Sequence, residues 1–147
     1  MICRDLQLKS VHSCAEGDTV QQCATLMRDL NVGFIPILDD QKRVVGALTD
    51  RDIAIRIAAE GRPLSTKVSE VMTLPPLLTC NLDEDLRDVE ARMGHEGKSR
   101  VIILDDEKRC VGVLSLSDIA RVEEQARAGQ LLYDVTGRES HAPVLEP

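Results

Sequence analysis

The sequence contains almost no aromatic side chains. Phe34 and Tyr133 are the only two, and tryptophan is absent. Proteins that hold single-stranded nucleic acid stack successive bases on aromatic rings, and this chain has too few rings to build such a platform. A purine could still be held between aliphatic side chains and backbone groups.

Basic residues are in the minority. The chain of 147 residues carries 18 lysines and arginines against 25 aspartates and glutamates, and its formal net charge is −7. Binding along a nucleic-acid backbone needs a basic face, so we expect no nucleic-acid partner. A small phosphorylated ligand is not excluded, because it needs only a few local cations.

Long apolar runs are missing as well. No stretch approaches the roughly 18 to 20 apolar residues that cross a bilayer, so we expect no membrane insertion. The opening MICRDLQLKS contains Arg4 and Asp5 and no apolar run, which is unlike a secretory signal. We therefore expect a cytoplasmic protein.

Catalytic motifs are also lacking. The sequence has no nucleophile elbow and no dinucleotide fingerprint, and its only histidines are His12, His95 and His141. His12 and Cys14 lie two positions apart on one predicted strand face, but that spacing alone is weak support for a catalytic pair. We therefore expect no enzymatic activity and no obligatory cofactor.

The cysteines do not form a disulfide framework, because no two of them have the C-x-x-C spacing and their number is odd. Cys14 and Cys80 are equivalent positions of an internal repeat, and we interpret both as small hydrophobic core residues. A metal site that uses His12, Cys14 or Cys23, or a redox response, is kept as an alternative. The five cysteines are Cys3, Cys14, Cys23, Cys80 and Cys110.

That internal repeat is the strongest pattern in the sequence. The segment Gly33–Ala54, GFIPILDDQKRVVGALTDRDIA, returns 66 residues later as Ser99–Ala120, SRVIILDDEKRCVGVLSLSDIA. Twelve of the 22 aligned positions are identical, and the alignment needs no gap. Two copies fill most of the chain, so we expect the fold and any function to be built by the pair.

Each copy is predicted to run strand, helix, strand, strand, helix. In the first copy, Asp18 is the predicted N-cap of the first helix and Asn31 ends it, while Ile53, Ile57 and Ala58 face inward from the second helix. The predicted strands are 11–14, 34–38, 43–49, 77–80, 100–104 and 110–115, and the other predicted helices are 50–60, 83–95 and one from 116 onward.

These elements predict a mixed α+β fold. Three strands and two helices cannot bury both faces of a sheet alone, so we expect two β-α-β-β-α repeats to pack sheet to sheet about an approximate two-fold axis, leaving two clefts at the seam. The predicted parts are a first repeat at 1–61 with a short N-terminal helix, a linker at 62–76, a second repeat at 77–128, and a helix end with a frayed tail at 129–147.

In both copies the last strand of the hairpin runs into the next helix through one pattern, GALTDRD in the first and GVLSLSD in the second. The hydroxyls of Thr49 and Ser115 fall at a helix start, where free backbone N–H groups favour an anion. Asp52 and Asp118 follow one turn later, where a carboxylate can accept hydrogen bonds from a diol such as ribose. Alternatively, the hydroxyls are only N-caps and the carboxylates complement the helix dipole.

Together these features resemble a tandem pair of cystathionine-β-synthase (CBS) domains of the stand-alone bacterial type, known as a Bateman module. The resemblance rests on the Asp-Asp hairpin turns, on both motifs, and on Val71-Met72-Thr73 followed by Pro75-Pro76. It implies a regulatory module whose clefts bind adenosine nucleotides such as AMP, ADP, ATP or S-adenosylmethionine. Binding there would bias a partner protein.

The resemblance also implies roles for individual residues. Asp52 and Asp118 would bind the ribose, and the hydroxyls of Thr49 and Ser115 would lie near the α-phosphate. Residues that open the first and second strands of each repeat would flank the base; they are Val11, His12, Val32, Gly33, Leu77, Leu78, Lys98 and Ser99.

Arg51 and Arg100 are the candidate cations for a phosphate, because the forked guanidinium suits a phosphate group. Either arginine could instead be a solvated surface residue. The two copies differ here, since Ser117 stands where the first copy has Arg51, and Ile102 stands where it has Pro36. We therefore expect two unequal nucleotide sites, with Ser117 lining the second.

The main alternative is a module that binds no ligand and serves only to dimerise and dock on a protein. The sequence separates this alternative poorly from a nucleotide sensor, because both need the same fold. In either case we expect a homodimer that acts in trans on an effector protein.

Overall fold

The computed structural model describes residues 1–6, 8 and 10–137. The tail predicted to fray, together with His141, lies outside the described residues. No helix in this described part combines the length and apolar character that a membrane span requires. The chain divides into two compact units: the first unit contains residues 10–77 and 104–111, and the second contains residues 1–9, 78–103 and those from 112 onward.

The mixed α+β architecture predicted from the sequence is confirmed. There are two three-stranded sheets, with strand orders β1-β2-β3 and β4-β5-β6. The strands are β1 Cys14–Ala15, β2 Phe34–Leu38, β3 Val44–Thr49, β4 Thr79–Asn81, β5 Arg100–Leu104 and β6 Cys110–Ser115. The α-helices are α1 Val20–Leu30, α2 Asp50–Ile53, α3 Leu86–Glu96, α4 Leu116–Ala120 and α5 Gln125–Thr136.

The first unit is built on the β1-β2-β3 sheet. β1 pairs with β2 in parallel, with Cys14 opposite Ile37, and β2 pairs with β3 in the antiparallel sense, with Ile35 opposite Leu48. β1 begins at Cys14, so the prediction of a strand from Val11 is wrong. The pairing register with β2, which no local pattern reveals, selects which residues of that segment become a strand.

Helix α1 covers this sheet with one apolar stripe. Val20, Cys23 and Met27 are buried at the three- and four-residue spacing of a helix, and Asn31 ends the helix in the left-handed conformation, as predicted. The predicted N-cap Asp18 is wrong. Thr19 is the N-cap, because its side chain accepts a hydrogen bond from the Gln22 amide, while the Asp18 carboxylate accepts one from the Ala15 amide at 2.8 Å.

The helix predicted at 50–60 is not a uniform α-helix. Four residues of α2 are followed by a π-helical stretch, Ala54–Ala58. This wider turn changes which side chains point inward, since Ile57 is buried but Ala58 is exposed. The prediction that Ala58 faces the core is therefore wrong.

The second unit is built on the β4-β5-β6 sheet and helices α3, α4 and α5. β4 starts at Thr79, two residues later than predicted, and α3 starts after its N-cap Asp85 rather than at Asp83. The single helix predicted from Leu116 onward is two helices, because α4 ends at Ala120 and α5 begins at Gln125.

Residues 1–6, called the N-terminal segment below, belong to the second unit. The Cys3 amide donates to the Glu84 carbonyl at 3.0 Å, and the Arg4 amide donates to the Leu82 carbonyl at 2.7 Å. The Leu86 amide, the first of α3, donates to the Met1 carbonyl at 2.9 Å. The predicted short N-terminal helix is one 3₁₀ turn, Cys3–Asp5.

Candidate functional site

In the first unit, β3 runs directly into α2 at the motif predicted to bind a ligand. Thr49 is the N-cap, and its hydroxyl accepts a hydrogen bond from the Asp52 amide at 3.0 Å. In return, Oδ2 of Asp52 accepts a hydrogen bond from the Thr49 amide at 3.0 Å. The two side chains thus form a capping box, which is the structural role that the sequence left open for them.

Asp52 has further partners that sequence reasoning did not assign to the site. The Thr73 hydroxyl donates to Oδ2 at 3.3 Å, and Nη2 of Arg56 lies 3.6 Å from Oδ1. Nη1 of Arg56 also donates to the Val71 carbonyl at 2.7 Å. The Asp52 side chain, 14% exposed, is therefore tied to the linker as well as to its own helix.

The sequence contains a partial signal for each of the two residues that sequence reasoning missed, Arg56 and Thr73. Arg56 lies four positions after Asp52, the spacing at which side chains of one helical face meet. Thr73 belongs to the Val71-Met72-Thr73 stretch that carries part of the family resemblance, but nothing local to it indicates a carboxylate partner. Its position is fixed by backbone pairing with Ala47, whose amide donates to the Thr73 carbonyl at 3.0 Å.

Gly33 lies against the start of α2. The Asp50 amide donates to the Gly33 carbonyl at 3.0 Å, and a Cβ on Gly33 would lie only 2.6 Å from Oδ2 of Asp50. The structure thus places Gly33 beside the first residue of α2. Neighbouring Val32 is 42% exposed, and the Arg51 side chain is also exposed.

The second unit repeats the capping box. The Ser115 amide donates to Oδ2 of Asp118 at 2.9 Å, and the Ser115 hydroxyl donates to the same oxygen at 2.6 Å. The Asp118 amide donates to the Ser115 hydroxyl at 3.2 Å. The arrangement survives although the two residues between hydroxyl and carboxylate change from Asp50 and Arg51 to Leu116 and Ser117; Ser117 is exposed.

Arg100 is held beside the start of α4. Its Nη1 donates to the carbonyl of Ser99 at 3.0 Å and to the hydroxyl of Ser99 at 3.2 Å. The same Ser99 carbonyl accepts a hydrogen bond from the Leu116 amide at 3.0 Å. A guanidinium and the first amide of α4 therefore converge on one oxygen next to Ser115, an arrangement that the first unit does not share because Phe34 stands at the equivalent position.

Of the remaining predicted positions, the exposed Lys98 lies before the second strand of its repeat, and the others lie before the first strand. Val11 is half-buried and His12 is exposed, and within the described residues no hydrogen bond joins either to Thr49 or Asp52. Leu77 is half-buried. Leu78 is buried, and its carbonyl accepts a hydrogen bond from the Ile102 amide at 3.0 Å.

The residues of the alternative metal site do not come together as a ligand set. His12 is exposed, whereas Cys14 and Cys23 are buried in the core of the first unit. Among residues 1–6, 8 and 10–137, no group of three or more histidine, cysteine, aspartate or glutamate side chains is placed to hold a metal ion.

Comparison with known proteins matches this geometry to a family. The CBS domain profile matches the chain twice, at residues 3–59 and 68–124. The chain belongs to the CBS domain family. The tandem CBS pair predicted from the sequence is thereby confirmed, and both capping-box motifs lie within the matched ranges.

Similarity to individual CBS proteins extends over nearly the whole chain. The CBS domain-containing protein YhcV of Bacillus subtilis is 35% identical over 140 residues, which cover 94% of this chain and 97% of YhcV. Hypoxic response protein 1 of Mycobacterium tuberculosis has been solved with two coordinated zinc ions; that structure is 28% identical, with a TM-score of 0.74, and the match covers 84% of this chain and all of that one.

A third relative was solved with adenosine compounds bound. The CBS domain pair of protein MJ0100, in complex with 5′-methylthioadenosine and S-adenosyl-L-methionine, is 27% identical to this chain. The TM-score is 0.71, and the match covers 83% of this chain and 94% of that one.

Proposed function

We propose that this CBS pair is a non-catalytic regulatory module that binds an adenosine nucleotide or a related adenosine derivative. The observation that carries the proposal is the hydroxyl–carboxylate box, whose two reciprocal hydrogen bonds to backbone amides occur in both repeats while its intervening residues change. The adenosine ligands of the MJ0100 pair support the choice of ligand class.

The carboxylates suit a ribose because only one of their oxygens is engaged by the capping box. Both hydrogen bonds from Ser115 fall on Oδ2 of Asp118, so Oδ1 is the oxygen proposed to accept the ribose hydroxyls. Oδ1 of Asp52 faces Arg56 at 3.6 Å, and a ribose there has to compete with that cation. We therefore propose that the Asp118 site binds more tightly.

The phosphate end of the ligand is proposed to lie at Ser115 and Arg100. The guanidinium is already held beside the α4 start by Ser99, so little side-chain freedom is lost when it binds an anion. In the first unit the exposed Arg51 is the proposed counterpart.

Regulation follows from binding only if the ligand prefers one state of the module. The shift that it produces in a partner is limited by its difference in affinity between the two states. We propose that the output acts in trans on an effector protein and that the module is a homodimer.

Calorimetric titration of the full chain with AMP, ATP and S-adenosylmethionine tests the proposal. Asp118→Asn keeps an oxygen for the Ser115 bonds but removes the charge offered to the ribose, so we expect affinity to fall by about tenfold to a hundredfold. Asp52→Asn should have the smaller effect.

A matched control separates lost binding from a weakened helix cap. Gln22→Ala removes the equivalent capping-box partner of Thr19 in α1, outside both proposed sites, and should leave nucleotide affinity unchanged. Unchanged affinity in Asp52→Asn combined with Asp118→Asn would refute the site assignment. Absence of binding by any of the three compounds would refute nucleotide sensing and favour a docking module.

A further inference from the structure

Two buried thiols meet where the N-terminal segment docks on the second unit. Sγ of Cys3 and Sγ of Cys80 lie 3.7 Å apart, although the residues are 77 positions apart in the chain. Cys3 is 0% and Cys80 is 3% exposed. Both are free thiols in this structure.

The backbone of each cysteine is held in place, one by hydrogen bonds and the other by its strand, so the two thiols face each other. Hydrogen bonds to Leu82 and Glu84 fix the N-terminal segment on one side of Cys3. On the other side, Cys80 is the central residue of β4. A disulfide between them requires the sulfur separation to shorten from 3.7 Å to about 2 Å.

The other repeat contains a thiol pair built at the same position. Cys14, the equivalent of Cys80 in the first copy, lies in hydrogen-bonding contact with Cys23 of α1. The partner comes from a helix there and from the N-terminal segment in the second unit. Each repeat thus places a second cysteine against its first strand by a different route.

We propose that Cys3 and Cys80 form a reversible disulfide site, with hydrogen peroxide as the oxidant and a small dithiol as the reductant. The Cys3 thiolate attacks peroxide oxygen, the O–O bond breaks, and Cys3 becomes a sulfenic acid as hydroxide leaves and takes up the thiolate's former proton as water. Cys80 then attacks that sulfur, the S–O bond breaks, and a second water leaves. Two thiols have lost two electrons to one peroxide.

The order of the two sulfurs follows from their hydrogen bond. Either sulfur can be the donor in this 3.7 Å contact. With the Cys80 thiol donating, the bond lowers the pKa of Cys3, whereas the same bond and burial raise the pKa of Cys80. Cys3 is therefore the attacking sulfur and Cys80 the resolving one.

The route of the oxidant to a buried pair is through the N-terminal segment. The ion pair between Arg4 and Asp83 joins two side chains that are both more than half exposed, so this pair contributes little to holding the segment down. Local opening of this segment exposes both thiols without global unfolding. Once formed, the disulfide ties the segment to β4 and makes that opening rarer.

Peptide mapping of the full chain after peroxide treatment tests the proposal. After free thiols are blocked with N-ethylmaleimide, trypsin leaves Cys3 in peptide 1–4 and Cys80 in peptide 68–87. We expect these peptides to be joined and to separate on reduction, while the intact monomer loses two hydrogen atoms per disulfide. The amides of Cys3 and Arg4 should exchange with solvent roughly tenfold more slowly in the oxidised protein.

Variants distinguish the pair from the other cysteines. Cys80→Ala should abolish the joined peptide and leave a sulfenic acid at Cys3 that dimedone traps, whereas Cys110→Ser, which changes a buried cysteine of β6, should leave the joined peptide in place. Recovery of Cys3 and Cys80 as separately blocked peptides from oxidised wild-type monomer would overturn the proposal. Linkage of Cys3 to a different cysteine would overturn it equally, and neither readout depends on a variant that has to fold.

Discussion

Gly46 is a residue whose identity is required by space rather than by backbone angle. A Cβ at this position would lie 2.5 Å from Sδ of Met72 and 3.0 Å from the carbonyl oxygen of Thr73. The linker can pair with β3 at Ala47 only because Gly46 leaves this room. Because Thr73 also donates to Asp52, the absence of a Cβ at Gly46 supports the geometry of the proposed site.

Gly46→Ala should therefore destabilise the protein by about 1 to 3 kcal/mol, because the added methyl group meets both a side chain and the linker backbone. Gly129→Ala is the matched control: an added Cβ meets no atom within 4 Å there, and the position is inside α5. The control should stabilise by up to about 1 kcal/mol. Denaturant unfolding of both variants measures the contrast, and equal effects would contradict the steric explanation.

At the scale of elements, a buried carboxylate joins α3 to α5. Glu90 is 7% exposed, its Oε2 accepts a hydrogen bond from Nη2 of Arg127 at 2.7 Å, and Oε1 has no hydrogen-bond partner among the described residues. Oε2 of Glu123 lies 3.4 Å from Nε of the same guanidinium. Burial raises the pKa of Glu90, and the opposing charge of Arg127 offsets this only in part.

This pKa shift predicts a pH dependence of stability. Because folded Glu90 keeps its proton to a higher pH than unfolded Glu90, its contribution to stability is complete below the unfolded pKa and declines as the pH rises through the folded pKa. Glu90→Gln does not titrate, so its stability relative to wild type should increase between about pH 4 and about pH 7. Urea unfolding across this range measures the difference; a constant or decreasing difference would contradict the burial argument.

Elements that depend on local pattern were predictable, and elements that depend on pairing were not. The β2 bounds and both β5 and β6 agree with the apolar runs, since a hairpin brings its own partner strand. β1 and β4 are shifted towards the C-terminus because a neighbouring strand chooses their register. The π-helical stretch after α2 carries no sequence signal that distinguishes it from α-helix.

The same division holds for the candidate site. The pairs Thr49–Asp52 and Ser115–Asp118 could be predicted because hydroxyl and carboxylate are three residues apart and occur twice. Arg100 could be nominated but not placed, since its position depends on a Ser99 carbonyl shared with α4. The assignment of ribose and phosphate roles stays a prediction.

For the whole molecule, the sequence repeat and the compact unit are not the same thing. The repeat alignment begins at Gly33, yet the N-terminal segment that precedes it belongs to the second unit. Cys3 and Leu6 of this segment are buried there, and Met1 supplies the acceptor for the first amide of α3. The second repeat is therefore incomplete without the other end of the chain.

Deletion of residues 1–6 should lower stability by about 3 kcal/mol, because two buried side chains and several backbone hydrogen bonds are lost. Cys80 should become reactive towards a thiol reagent in the native protein, while Cys14 and Cys23 remain protected. Asp83→Asn, which loses only the exposed ion pair with Arg4, should change neither property. Equal protection of Cys80 with and without the segment would contradict this assignment.

The chain passes between its two units after residues 9, 77, 103 and 111, and this has a consequence for building chimeras. If a CBS repeat were exchanged with that of a relative by joining the chains at the linker alone, the second repeat would meet a foreign N-terminal segment. The first repeat would meet a foreign 104–111 segment. Compatible chimeras must carry residues 1–6 along with the second repeat and match 104–111 to the first. The same packing constrains the evolution of both repeats. Substitutions in residues 1–6 should therefore covary with the second repeat, and substitutions in residues 104–111 should covary with the first.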